Sequence, residues 1–384
     1  MGVDQRMSIS RFAIRAAWLS ACLMMPVASL QAGLIDDGQP DANYQSLAAQ
    51  SQYDSVGVAK LSGSFVDSSG ILITPEWVLT AAHTIPSGNP QPADTWTFGG
   101  EVRGIDHAIR NPSFTGQITS GFDVALHKLD APINSITPAQ LYTGTAASLV
   151  GETLTYVGYG KSGTGSTGDI IGTGTKRAGR NIGEQLGFTL NPGPSQTVYS
   201  NQILFSDMDA DGGAPWGNPL GGTNSINLEY LIALGDSGGG MFIEQGGQHY
   251  VAGVHSVIFN FDPASLGYGD IMGSTTIDQS LTWIMNTIAP PPIVGDLDGD
   301  GFVGIDDLNI VLSNWNLNVT AGSLILGDPS NDGFVGIDDL NTVLGNWNAG
   351  SPPTTSQLTG LVPEPGVLTI LALAGTGAVL RRSR

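Results

Sequence analysis

Short runs of β-forming residues, broken repeatedly by glycine, dominate the chain from about residue 33 to residue 289. The segments 70–73 (Gly-Ile-Leu-Ile) and 154–160 (Leu-Thr-Tyr-Val-Gly-Tyr-Gly) are examples. Many short strands with frequent turn residues between them are typical of β-sandwiches and β-barrels. The pattern therefore predicts an all-β domain over residues 33–289.

One helix is predicted at the end of this domain, followed by a linker. Four apolar residues share one helical face, namely Ile277, Leu281, Ile284 and Ile288. The Pro-rich segment 290–295 cannot continue that helix and is expected to be a stiff connection. Within the domain, residues 161–193 are rich in Gly, Thr and Ser, which favours a long surface loop.

The charge balance excludes some classes of partner. The formal net charge is −20, and six of the 14 Lys and Arg residues lie near the two ends of the chain. A protein whose middle is this acidic is expected to repel nucleic acid and anionic membranes. The only cysteine is Cys22, so the fold must be stabilised by core burial and metal ions rather than by disulfides.

Residues 1–32 are interpreted as a signal peptide, which predicts export. Arg11 and Arg15 precede the apolar run 16–30, and Ala32 offers a small residue for cleavage. Two alternatives are a first transmembrane helix, for which the run is short, and lipidation of Cys22 within Leu-Ser-Ala-Cys.

Residues 362–384 carry a second targeting pattern after a linker over 349–361. Val-Pro-Glu-Pro-Gly is followed by the apolar run 367–380 and then by Arg-Arg-Ser-Arg. This order resembles the PEP-CTERM sorting signal of bacteria. The resemblance implies a transient membrane tether through a short transmembrane segment, recognition by C-terminal sorting machinery, and release at the cell surface or into the matrix.

Three separate motifs carry side chains suited to nucleophilic catalysis. His83 ends Thr-Ala-Ala-His, Asp123 begins the strand-like Asp-Val-Ala-Leu, and Ser237 lies in Gly-Asp-Ser-Gly-Gly-Gly. A serine hydroxyl needs a base to take its proton, and an imidazole base needs a carboxylate to fix its tautomer. Glycines let backbone N–H groups approach a developing oxyanion, which points to the N–H groups of Gly235 and Ser237.

The order His83, Asp123, Ser237 resembles the chymotrypsin/trypsin family over about residues 50–289. The resemblance implies two six-stranded antiparallel barrels with a C-terminal helix, a protein or peptide substrate, and no cofactor for catalysis. It also implies that Ser256 lines the substrate cleft and binds the triad carboxylate. Leu231 takes the pocket position at which trypsins carry aspartate, and Glu229 nearby is an alternative pocket residue. Asp236 matches the acid that pairs with a newly freed amino terminus.

Residues 296–348 contain a duplicated acidic segment with an offset of 32 residues. Each copy places oxygen ligands at alternate positions, a glycine at position 6 and an aspartate at position 12, as calcium loops do. The predicted ligands are Asp296, Asp298, Asp300, Phe302 and Asp307 in the first copy and Asp328, Ser330, Asp332, Phe334 and Asp339 in the second. The pair resembles dockerin type I, which implies a small α-helical module that binds Ca²⁺ and a cohesin-like partner. An acidic linker is the alternative, and residues 207–212 are a poorer third match.

The leading hypothesis is thus a secreted or surface-sorted serine endopeptidase that acts through an acyl-enzyme and carries a calcium-binding docking module. The alternative is a catalytically silent surface adhesion or assembly protein that uses the same domains only for binding. An intact set of catalytic residues favours the endopeptidase.

Overall fold

The structure is a computed structural model of the 384-residue chain. It describes residues 33–62, 67–85, 91, 93–190, 196–210, 219–221, 225–261 and 266–352. The predicted signal peptide and C-terminal sorting segment lie outside these residues. Within the described part of the chain, no helix has the length and apolar character needed to cross a membrane.

The chain forms two compact units, one ending at Ile288 and the other beginning at Ala289. The strands in chain order are β1 (Gly33–Ile35), β2 (Val56–Lys60), β3 (Ser68–Thr74), β4 (Trp77–Thr80), β5 (Thr95–Phe98), β6 (Glu101–Arg110), β7 (Ala125–Leu129), β8 (Gln140–Leu141), β9 (Thr153–Gly158), β10 (Ser162–Thr164), β11 (Gly168–Ile171), β12 (Arg177–Ile182), β13 (Gln185–Leu190), β14 (Thr197–Asp207), β15 (Tyr230–Leu231), β16 (Gly240–Gln245), β17 (Gln248–Phe259) and β18 (Ile271–Thr276).

Helices are few in the described residues. The α-helices are α1 (Asp41–Ala48), α2 (Leu281–Ile288), α3 (Ile305–Ser313) and α4 (Ile337–Gly345). Short 3₁₀ helices lie at Ser51–Tyr53, Ala82–Thr84, Ile118–Ser120, Ala146–Leu149, Asp278–Ser280 and Leu324–Leu326. Helix α2 confirms the predicted terminal helix, and its Ile284 is completely buried.

The first half of the first unit is a closed six-stranded barrel with the order β2-β3-β4-β7-β6-β5. Trp96 and Phe98 alternate with half-buried threonines along β5, so their rings point into the barrel. They pack there with Leu72, Val78 and Leu129. The predicted β-rich character and a six-stranded barrel are therefore present.

The second half of this unit departs from the expected second six-stranded barrel. It is an eight-stranded sheet with the order β12-β9-β16-β17-β18-β14-β13, and β8 pairs with β17. Among the described residues, the end strands β12 and β13 do not pair to close a ring. The edge of β12 is occupied instead, because the Arg180 N–H donates to the Leu228 carbonyl at 2.7 Å and Arg180 forms a parallel bridge with Glu229.

The prediction of a long surface loop over residues 161–193 was wrong. This segment contains β10, β11, β12 and β13. Strands β10 and β11 join β1 and β15 in a small four-stranded sheet with the order β11-β10-β1-β15. Backbone pairing stabilises these short strands although β10 consists of small residues, so periodicity in the sequence does not reveal them.

The second unit contains α3 and α4 around a small core. Leu297, Val303, Val311, Val335 and Val343 are buried in it. The apolar side chains of Ile305 and Leu312, and of their equivalents Ile337 and Leu344, are about half exposed. The core is built instead from Leu297, one valine of each helix and the valine that precedes each helix.

Candidate active site

Three side chains that are far apart in the sequence form one hydrogen-bonded line. His83 Nδ1 lies 2.6 Å from Asp123 Oδ2, and His83 Nε2 lies 3.0 Å from Ser237 Oγ. His83 belongs to the 3₁₀ helix after β4, Asp123 precedes β7, and Ser237 precedes β16. The closed barrel thus supplies the imidazole and carboxylate, and the second sheet supplies the hydroxyl.

The Asp123 carboxylate is completely buried and fully engaged. Its Oδ1 accepts the backbone N–H of His83 at 2.8 Å, and its Oδ2 accepts the Ser256 hydroxyl at 2.5 Å as well as the imidazole. These contacts fix both the carboxylate and the ring that it binds. With an ionised Asp123, the ring proton lies on Nδ1, and Nε2 is left to accept a proton from Ser237.

Ser256 lies in β17 and is only 6 % exposed. The predicted contact with the Asp123 carboxylate is therefore made from a buried position. Its neighbour His255 points to the other side of the strand, where it is fully buried and lies 3.1 Å from the Ser274 hydroxyl. Burial lowers the pKa of His255 to about 3, so this second histidine stays neutral.

The turn that carries Ser237 is held by a residue that the sequence did not reveal. Ser69 in β3 donates its N–H to the Ser237 carbonyl at 2.9 Å and its hydroxyl to the Gly235 carbonyl at 3.1 Å. The Ser69 hydroxyl also accepts the Tyr159 N–H. A serine inside a strand carries no sequence signal for this role, which depends on how the barrel and the second sheet meet.

Gly235 needs to be glycine at its place in the turn. Its φ is +99°, a conformation that other residues rarely adopt. Among the described residues, no acceptor takes the N–H of Gly235 or of Ser237. Both donors thus have no acceptor in this part of the chain, and their role in binding an oxyanion stays a prediction.

Asp236 is buried behind the turn and is bound by backbone groups. Its carboxylate accepts the N–H of Gly160 at 2.7 Å and the N–H of Ala233 at 2.8 Å. The approach requires glycine at position 160, because a Cβ there would lie 2.6 Å from the carboxyl carbon. Burial raises the pKa of Asp236 to about 7.

The two residues suggested for the specificity pocket are both buried. Leu231 lies in the main core, and its backbone pairs with Leu34. Glu229 is 1 % exposed and its carboxylate accepts the Ile226 N–H. Leu234, three residues before Ser237 in the sequence, has 46 % of its surface exposed.

Both acidic loops of the second unit gather carboxylates. Asp296, Asp298 and Asp307 bring oxygens within 4.8 Å of one another, and so do Asp328, Asp332 and Asp339 in the second copy. The Ser330 hydroxyl donates to Asp328 at 3.0 Å. Asp300 and Asp332 accept the N–H groups of Phe302 and Phe334, respectively. Each loop therefore gathers three carboxylates, and this donor type fits a hard cation. The remaining predicted ligands, Asp300, Phe302, Ser330 and Phe334, belong to the same two loops.

The arrangement in the first unit can transfer an acyl group to a serine. A polarised hydroxyl, an imidazole fixed by a buried carboxylate, and two free N–H groups beside the hydroxyl are the parts that this chemistry requires. No curated protein matches the chain. The trypsin family model matches residues 48–284, which is more than half of the chain. The chain therefore belongs to the trypsin family of serine peptidases.

Proposed function

We propose that the chain is an endopeptidase that hydrolyses peptide bonds through an acyl-enzyme on Ser237. The observation that carries this proposal is the unbroken hydrogen-bonded line from Ser237 through His83 to the buried Asp123. A family match gives the class of enzyme, and this geometry supports the assignment of the individual roles.

In the proposed reaction, His83 Nε2 takes the Ser237 proton as Oγ attacks the carbonyl carbon of the scissile bond. The N–H groups of Gly235 and Ser237 bind the oxygen of the tetrahedral intermediate. The protonated His83 then donates to the leaving amine, and a water molecule repeats the sequence to release the acid. Asp123 stabilises the imidazolium, and Ser256 holds Asp123 in place.

The alternative of a silent adhesion protein does not account for this site. A domain that only binds has no need for a hydroxyl 3.0 Å from an imidazole nitrogen, or for a carboxylate buried to orient that imidazole. Burying the Asp123 carboxylate is costly, and three hydrogen bonds at the site offset that cost. Catalysis is the role that makes use of this arrangement.

We further propose that the second unit binds two Ca²⁺ ions and docks the enzyme to a partner at the cell surface. The six clustered aspartates are the ligands, and the bound ions supply charge neutralisation. Exposed apolar residues occur in pairs at the offset of 32, namely Ile305 and Ile337, Leu312 and Leu344, and Trp315 and Trp347. A duplicated apolar surface of this kind suits a cohesin-like protein partner. Export by the N-terminal segment and sorting by the C-terminal segment complete this proposal.

Hydrolysis of a protein substrate tests the enzymatic proposal. Ser237→Ala should reduce kcat by about 10⁵-fold to 10⁶-fold, because it removes the nucleophile and leaves only binding and the oxyanion donors. Release of soluble peptides from casein measures the loss, and circular dichroism verifies the fold. The exposed Ser113→Ala is the matched control and should keep full activity. Full activity of Ser237→Ala would refute the assignment.

A further inference from the structure

A third group of acids lies in the peptidase unit, away from Ser237. Glu184 in the turn between β12 and β13, Asp207 at the end of β14 and Asp209 just after it bring carboxylate oxygens within 4.8 Å of one another. Glu229, which precedes β15, lines the same cavity as Glu184 and Asp209. Four acids from three segments of the chain thus converge, although only Asp207 and Asp209 are neighbours in sequence.

These carboxylates are buried and carry oxygens without partners. Asp207 is 0 %, Glu229 1 % and Asp209 8 % exposed. Asp207 Oδ1, Asp209 Oδ1 and Glu229 Oε1 have no hydrogen-bond partner within the described part of the chain. The other oxygens of Asp207 and Glu229 are bound: Asp207 Oδ2 accepts the Leu220 N–H at 3.0 Å, and Glu229 Oε2 accepts the Ile226 N–H at 2.9 Å. One oxygen of each of these three acids is left without a partner, which is costly unless a ligand binds it.

Within the part of the chain that the structure describes, no Lys or Arg forms an ion pair with these four acids. The sequence contains no Lys or Arg from residue 181 to residue 380, so the segments around the cavity cannot supply one. Just upstream, Arg177 forms an ion pair with Asp41 instead.

We propose that Glu184, Asp207, Asp209 and Glu229 form a calcium site in the peptidase unit. The donors are all carboxylate oxygens, and neither histidine nor cysteine is among them, which favours a hard divalent cation. The cavity, of about 430 Å³, has room for the water ligands that complete a calcium shell. An irregular set of four acids suits Ca²⁺ better than Mg²⁺, which demands a small octahedral shell.

The ligands differ from those suggested by the acidic spacing in the sequence. Alternation over residues 207–212 pointed to a single loop, whose Asp211 lies outside the residues that the structure describes. In the structure, Asp207 and Asp209 come together with two acids from other segments. These are Glu184, between β12 and β13, and Glu229, just before β15. Glu229 lies four residues before Ala233 in the same segment. The Ala233 N–H donates to the carboxylate of Asp236, the residue just before Ser237. A bound ion would therefore stabilise the segment that leads into the Ser237 turn.

Calcium stoichiometry of the full chain tests the site. Isothermal titration of wild-type protein with CaCl₂ should give three ions, two for the second unit and one for this site. Asp207→Asn should give two, because it removes the central ligand, and the matched control Glu152→Gln, an exposed acid nearby, should give three. Glu229→Gln is the second variant, and it should weaken the third site at least tenfold. Three ions in both ligand variants would overturn the proposal.

Thermal unfolding separates this site from the acidic loops of the second unit. In a full-length background with Asp296→Asn and Asp328→Asn, Ca²⁺ should still raise Tm by several degrees. Adding Asp207→Asn should abolish this rise and should raise Tm in chelator, because it removes one of the repelling buried charges. No calcium-dependent shift in the background protein, or a larger shift with Mg²⁺ than with Ca²⁺, would contradict a calcium site. Turnover by the background protein shows separately whether the proposed peptidase function holds.

Discussion

Asp123 works through its position, since it touches His83 but not the substrate. An amide in its place would keep the shape of the contact but would present an N–H or a weaker acceptor to Nδ1, which favours the wrong imidazole tautomer. We therefore expect Asp123→Asn to lower kcat by about 10⁴-fold with little change in KM. The exposed Asp106→Asn is the control, because Asp106 pairs only with His107. A loss in the Asp106 variant and none in the Asp123 variant would show that the wrong acid was assigned.

The buried His127 should make the free energy of unfolding depend on pH. Trp96 donates its indole N–H to His127 Nδ1 at 3.0 Å, and burial lowers the pKa of this histidine to about 4, opposed only in part by Asp94. The unfolded chain takes up a proton near pH 6.5, which the folded chain cannot do. Stability from His127 is thus complete above pH 6.5 and is lost as the pH falls towards 4.

The corresponding prediction compares variants between pH 7 and pH 5. Over this range the wild-type protein should lose about 2 kcal/mol more free energy of unfolding than His127→Gln. Denaturant unfolding at the two pH values measures the difference. The exposed His107→Gln should behave as wild type. An equal loss in wild type and His127→Gln would mean that His127 is protonated in the folded state.

At the scale of elements, the sequence predicts those helices and strands whose residues show a clear periodicity or composition. Leu281, Ile284 and Ile288 reveal the terminal helix by their spacing, and the apolar run 70–73 reveals a barrel strand by its composition. The short β10 has no such pattern, because Ser162 and Thr164 depend on pairing with β1 and β11 rather than on side-chain burial against a core. The role of Ser69 was hidden for a related reason: it arises only when the barrel meets the second sheet.

We propose that the two acidic loops of the second unit couple calcium binding to helix packing. Residues 296–348 contain nine aspartates and no Lys or Arg, and the core of the unit has few fully buried side chains. Without cations the clustered carboxylates repel one another, and a core this small cannot compensate. We expect the 293–350 fragment to lose its helical circular dichroism signal in chelator and to regain it with Ca²⁺.

Two matched pairs of aspartate substitutions separate loss of the ligands from loss of charge in this experiment. Asp307→Asn with Asp339→Asn should abolish the calcium-induced helical signal, because both acids belong to the ligand clusters. Asp306→Asn with Asp338→Asn changes the exposed neighbours of these residues and should leave it intact. A helical signal that persists in excess chelator would remove the calcium role of this unit.

At the scale of the whole molecule, the two functions that we propose belong to different units. The family match ends at residue 284, just before the boundary at Ile288. The chemistry that we propose is contained in the first unit, and the second unit is assigned to location. The acids around Asp207 lie in the first unit, so calcium is expected to act on both units, through separate sites.

Active-site labelling tests the central claim, that Ser237 is an activated nucleophile. A fluorophosphonate reacts with a serine only when a base has raised its nucleophilicity. Mass spectrometry of the labelled, digested wild-type protein should find one adduct, on Ser237. The adduct should be absent in Ser237→Ala and should form far more slowly in Asp123→Asn. Folded wild-type protein that takes no label, or that takes it on another serine, would contradict the account.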